Sequence, residues 1–129
     1  MFNLVYAPMA EIPAHWKPRL RELSYGPDEG TTYRATYQDG SCYASVLRYE
    51  KRIIAWACLT FEDAEYPVIG CFVDPTQRKK GLGRAVSEHL LDMIDLPPGT
   101  LVYAYRRLWK QWPTILADAK LVYVEWESD

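Results

Sequence analysis

Apolar and polar positions along the chain alternate with two different spacings, and the change from one to the other marks out the elements. Residues 2–6 form a short apolar run that predicts a first strand. Residues 11–23 carry a helical pattern broken by Pro13 and Pro18. A proline fits a first turn but not a helix interior, so two short helices are expected there. Residues 25–40 are rich in Gly, Asp and Thr and predict a loop. Residues 41–49 and 53–61 predict two strands joined by the polar turn Glu50-Lys51-Arg52. In the second of these, alternation would place Ile54, Trp56, Cys58 and Thr60 on one face. An acidic connection, 62–65, leads into the apolar run 66–73, whose residues 68–73 predict a third strand. The spacing then changes to i, i+3, i+4, i+7 over residues 82–94, with Leu82, Ala85, Val86, His89, Leu90, Met93 and Ile94 on the predicted apolar face. Pro97-Pro98-Gly99 ends that helix. A strand over 101–105, a short helix over 113–119 opening on Pro113, and a closing strand over 121–126 complete the chain.

The resulting order is β, α, three β, α, β, α, β. It predicts one α/β (α+β) domain over 1–129 in which an antiparallel meander is followed by strands made parallel through helical crossovers. Composition agrees with a packed domain. The chain has 129 residues, 49% of them apolar, with five Trp and ten Tyr, which argues against disorder. The net charge of −2 suggests no bulk attraction to nucleic acid or anionic membrane, although basic residues cluster at 78–84 and 106–110. The three cysteines are odd in number and fit no metal spacing, so a reduced setting and no metal are expected. No apolar run reaches the length of a membrane span, and the first residues lack a basic segment leading into an apolar core. The expectation is a cytoplasmic protein.

The chemistry concentrates in the stretch Val73-Asp74-Pro75-Thr76-Gln77-Arg78-Lys79-Lys80-Gly81-Leu82-Gly83-Arg84-Ala85. A predicted strand, a basic loop, two glycines and a helix start make an anion site. The first N–H groups of a helix have no intrahelical partner, its dipole is positive there, and glycine allows close approach of a phosphate. A pyrophosphate is the most economical ligand. Cys71 lies within an apolar strand and reads as an inert core residue rather than a nucleophile. His89 reads as a structural histidine on the core side of its helix.

Val73-Asp74-Pro75, Arg78, Gly81 and Gly83 fit the pattern R/Q-x-x-G-x-G/A, and the chain resembles the Gcn5-related N-acetyltransferases (GNAT family), closely over residues 68–91 and in strand order over nearly its whole length. The resemblance implies the acyl-CoA N-acyltransferase fold, a mixed sheet of about six strands with flanking helices, splayed between the strand ending at Val73 and the strand 101–105. It implies acetyl-CoA as co-substrate and the main chain of Cys71, Phe72 and Val73 beside the pantetheine arm. The amides of Lys79, Lys80, Gly81, Leu82, Gly83 and Arg84 would lie around the pyrophosphate. Arg78 completes the motif, and Lys79, Lys80 and Arg84 would add charge toward the 3′-phosphate.

The chain departs from the family where relatives carry acid and base groups. Aligned on Gly81, those positions are Pro67, Ala104 and Leu116, none of which can move a proton. Glu65 or Glu62, acting through water, is the substitute base, with Tyr105, Tyr103 or Tyr123 as the donor to the leaving thiolate. Alternation would direct Tyr103 and Tyr105 to one face, toward the core. The implied activity is transfer of an acetyl group to a primary amine by direct attack in a ternary complex. The acidic connection would suit a cationic acceptor, small molecule or protein. The alternative is a catalytically weakened protein of the same fold that binds coenzyme A or a protein partner. Nucleic acid is disfavoured, and a homodimer stays open.

Overall fold

In the computed structural model, residues 1–24, 42–61, 66–104 and 110–125 are described. The strand that organises them is β3, Arg52–Thr60, in which every residue after Arg52 is buried. A strand closed to water on both faces has to lie inside a sheet with layers above and below it. It does so as the third strand of a six-stranded sheet in sequential order. β1 (Phe2–Pro8), β2 (Cys42–Tyr49), β3 and β4 (Val68–Val73) pair antiparallel. β5 (Leu101–Ala104) and β6 (Val122–Glu125) then add in parallel.

Helices α2 (Leu82–Ile94) and α3 (Trp112–Asp118) cover one face, and Val86, Leu90, Ile115 and Leu116 pack there on Ala57, Leu59, Ile69 and Val102. The other face is covered by α1 (Lys17–Ser24) and the two short 3-10 turns before it, Met9–Glu11 and Ala14–Trp16. Met9, Ile12 and Leu20 pack there against Val46, Trp56 and Cys58. The prolines of this segment act as expected: Pro13 precedes the second 3-10 turn, and Pro18 sits in the first turn of α1.

Three expected faces are corrected. Ile54 does not share a face with Trp56 and Cys58. Between Leu47 and Arg48 the register of β2 against β3 shifts, so that Leu47 faces Ala55 and Arg48 faces Ile53. The extra residue is a bulge, and it breaks the alternation locally. Ile53 joins Trp56 and Cys58 under α1, while Ile54 joins Ala57 and Leu59 under α2. On α2 the buried residues are Gly83, Val86, Ser87, Leu90 and Leu91, whereas Ala85 and Met93 are exposed. The helix rests on the sheet through a row that begins with small residues, which lets its N-terminal half approach β3 and β4 closely. Tyr103 is likewise not a core residue. The core positions of β5 are Val102 and Ala104, and Tyr103 packs against Tyr66 with ring centroids 5.2 Å apart.

Trp56 is buried between β3 and α1, and its indole N–H donates to the Leu20 carbonyl at 3.1 Å. Trp56→Phe leaves that carbonyl unpaired and opens space beside α1. We expect a loss of about 2 kcal/mol of stability in urea unfolding; a change within experimental error would show that α1 docks without this contact.

Candidate coenzyme A site

β4 sets the site because it serves two neighbours unequally. Main-chain groups of a strand point alternately to its two sides. The Asp74 N–H donates to Ile54 on β3 at 2.8 Å, and the Pro67 carbonyl accepts from the Tyr103 N–H of β5 at 2.8 Å. Even-numbered residues of β4 therefore pair with β3, and odd-numbered ones face β5. Yet Val68–Tyr103 is the single register pair joining β4 and β5 among the described residues. The main chain of Cys71 and Val73 thus lies on the β5 side of β4, past the last described residue of β5, while that of Phe72 is turned toward Trp56.

Beyond Val73 the chain enters the loop through Asp74, which caps the 3-10 turn Pro75–Gln77. Its Oδ1 accepts from the Thr76 N–H at 2.8 Å and the Thr76 hydroxyl at 2.7 Å. Its Oδ2 accepts from Arg19 of α1 at 2.5 Å and Arg52 of β3 at 3.1 Å. The Thr76 hydroxyl, the Thr76 N–H and Arg19 hold this buried carboxyl well below the usual carboxylate range, against the opposing effect of burial. Sequence reasoning gave Asp74 no role. The signal was there, since an Asp followed by Pro is a capping residue ahead of a first turn; its partner Arg19 lies too far away in sequence to be seen.

Lys79 and Gly81 both have left-handed backbone, φ 66° and 76°. Such a backbone turns successive N–H groups inward and makes an anion cup. Nothing lies within 4 Å of where a Gly81 Cβ would stand, so this glycine serves conformation rather than clearance. It is the N-cap of α2 and has no side-chain cap, which leaves the first helical amides open. Gly83 is buried against the sheet.

The basic side chains are not equivalent. Arg78 and Lys79 are exposed and have no ion-pair partner among the described residues. Lys80 Nζ donates to Gln77 at 3.0 Å. Arg84 bridges Glu88 at 3.0 Å and Asp118 at 2.9 Å, tying α2 to α3. The i,i+4 spacing of Glu88 and the end of α3 draw the guanidinium there.

Burial of the Cys71 thiol among the packed residues under α2 pushes it up to about 12, eased slightly by the neighbouring Ser87 hydroxyl. That hydroxyl is itself buried without a hydrogen bond of normal geometry. Ser45 Oγ and His89 Nδ1 lie 2.9 Å apart, which accounts for the histidine structurally. Leu116 and Ala104 are fully buried. Tyr123 is half-buried and donates to Glu125 at 3.1 Å. Glu62, Glu65 and Tyr105 lie outside the described residues, as do Arg106 and Arg107.

This strand, loop and helix fall within a segment matched by a known family of transferases. The model of the Acetyltransferase (GNAT) family matches residues 9–99, and the chain belongs to that family of N-acetyltransferases. Its fold is shared with a possible acetyltransferase from Clostridium difficile 630, at 11% identity and TM-score 0.61 over 100% of this chain and 95% of that one. An acyl-CoA N-acyltransferase from Pseudomonas aeruginosa is similar at 15% identity and TM-score 0.58, over 84% of this chain and 73% of that one. A ribosomal-protein-alanine N-acetyltransferase from Brucella melitensis biovar Abortus 2308 matches at 16% identity and TM-score 0.56, over 100% and 97%. Comparison with curated proteins finds no match. No helix among the described residues is long and apolar enough to cross a membrane.

Two measurements follow from the site's electrostatics. With its thiol held near 12, Cys71 should resist iodoacetamide at pH 8 in the native protein and react on unfolding; rapid native labelling, read by peptide mass spectrometry, would contradict the burial. The folded Asp74 carboxyl ionises at lower pH than the unfolded one. Its stabilisation is therefore complete above the unfolded value of about 4 and is lost as pH falls further. The difference in Tm between the native protein and Asp74→Asn should accordingly shrink from pH 7 to pH 3; a constant difference would refute the assignment.

Proposed function

We propose that this chain transfers an acetyl group from acetyl-CoA to a primary amine, by direct attack of the amine within a ternary complex. The observation that carries the reading is the continuity of β4, whose Cys71 and Val73 main chain faces away from β3, with the left-handed loop and the uncapped start of α2. Cys71 and Val73 would hold the pantetheine arm through their main chain, as an added strand does. The amides from Lys79 to Arg84 would hold the pyrophosphate, with Arg78 and Lys79 as the available charges. Acetyl-CoA supplies an activated thioester.

The acceptor reaches that thioester from the α1 side, because α2 and α3 close the opposite face. An attacking amine must first lose its proton, and Glu65 or Glu62 would accept it through water; Tyr105 or water would protonate the leaving thiolate. Holding the two reactants together supplies a large share of the acceleration by itself. A cationic amine, on a small molecule or a protein, suits the acidic connection 62–65.

A second reading, a protein of this fold that binds coenzyme A without turnover, is favoured by the full burial of Leu116 and Ala104 where relatives carry acid and base groups. Thiol release from acetyl-CoA, measured against a panel of amines and against cell lysate, separates the two. Release above the hydrolysis background supports transfer, and its absence together with tight coenzyme A binding supports the second reading. In calorimetry, Gly81→Ala should weaken coenzyme A binding about fivefold through left-handed strain, and Gly83→Glu should abolish it. A native protein that does not bind coenzyme A would overturn both readings.

A further inference from the structure

The loop of residues 74–81 has a single buried residue, Asp74, and the others are half-buried or exposed. What holds the first half of the loop passes through that residue. Its N–H is fixed to Ile54 and its carbonyl accepts from the Gln77 N–H, each at 2.8 Å. One carboxylate oxygen holds the turn through Thr76, and the other holds two guanidinium groups.

Arg19 is fixed in its turn. Its Nε donates to the Ile53 carbonyl at 2.9 Å, and another nitrogen donates to Glu22 at 2.7 Å. The Arg19 and Asp74 side chains are 20% and 5% exposed, whereas that of Arg52 is 68% exposed. The shielded pair is therefore the strong one, since screening weakens the exposed contact.

The geometry points to Asp74, clamped by Arg19, as the positioning residue of the coenzyme A loop: it fixes the corner from which residues 78–83 depart and ties that corner to α1. Helix α1 lies on the face from which an acceptor approaches, so the clamp joins the acceptor side of the sheet to the pyrophosphate cup on its other side. The inference rests on the reading of the loop as a coenzyme A site. Neither residue need touch the cofactor. Asp74 acts through the placement of the amides after it, and Arg19 acts through Asp74.

The test is calorimetric titration of coenzyme A into the full chain and into Asp74→Asn, Arg19→Gln and the double variant. Thr76→Val serves as a milder change at an exposed position. A merely structural role would lower the folded fraction and weaken the apparent Kd only by that fraction, so the folded fraction is read in parallel by circular dichroism, and a variant more than nine-tenths folded cannot owe a tenfold change to unfolding. The positioning role predicts a Kd weakened about tenfold in each charge variant, the scale of one charge-assisted hydrogen bond. It also predicts a double variant no worse than the poorer single one, because the two residues act as a unit. Thr76→Val should weaken binding about threefold. Unchanged Kd across the set, or additive losses, would overturn the inference. A native protein that fails to bind coenzyme A would instead remove the underlying reading, and the inference with it.

Discussion

Past Val68, the N–H and C=O groups of Cys71 and Val73 point to the side of β4 away from β3, and no ladder among the described residues takes them up. A main-chain polar group left without a partner costs free energy comparable to a lost hydrogen bond, and in the proposed complex the pantetheine arm would supply that partner. Much of the architecture fixes this strand. β3 holds β4 from one side through a full antiparallel ladder. α2 and α3 close one face, and Asp74 fixes the exit from the strand. β4 is thus held on the β3 side, under α2 and at its exit, while its other edge runs past the last described residue of β5.

The elements themselves were legible where local signals agreed. α2 has the bounds that its periodicity predicts, because Gly81 and the pair Pro97-Pro98 mark its ends in the same places as its pattern. Its face was less legible. A reading that rewards large apolar side chains selects Met93, whereas the sheet selects Gly83 and Ser87, since only small residues permit close approach. The displacement of Ile54 was hidden for a different reason. Alternation within one strand is local, but a bulge is a property of two strands and of their register.

The same division holds in the site. The loop was readable from contiguous residues whose strand and helix context could be checked nearby. The ion pair of Arg84 with Asp118 was not legible because Asp118 lies on another helix. The clamp on Asp74 went unseen because Arg19 is 55 residues away. Distances between charged groups are set by the fold, and single-chain patterns carry little of that information.

Cys71 brings one further consequence. The strand proposed to carry a reactive thioester also carries a thiol of its own, and a thiolate there would compete with any amine by transthioesterification, leaving the protein acylated on itself. Packing against the apolar core under α2 keeps that sulfur protonated. The packing of α2 on β4 thereby shields the enzyme from its own donor, and a cysteine can persist on the strand where the acyl group would be bound.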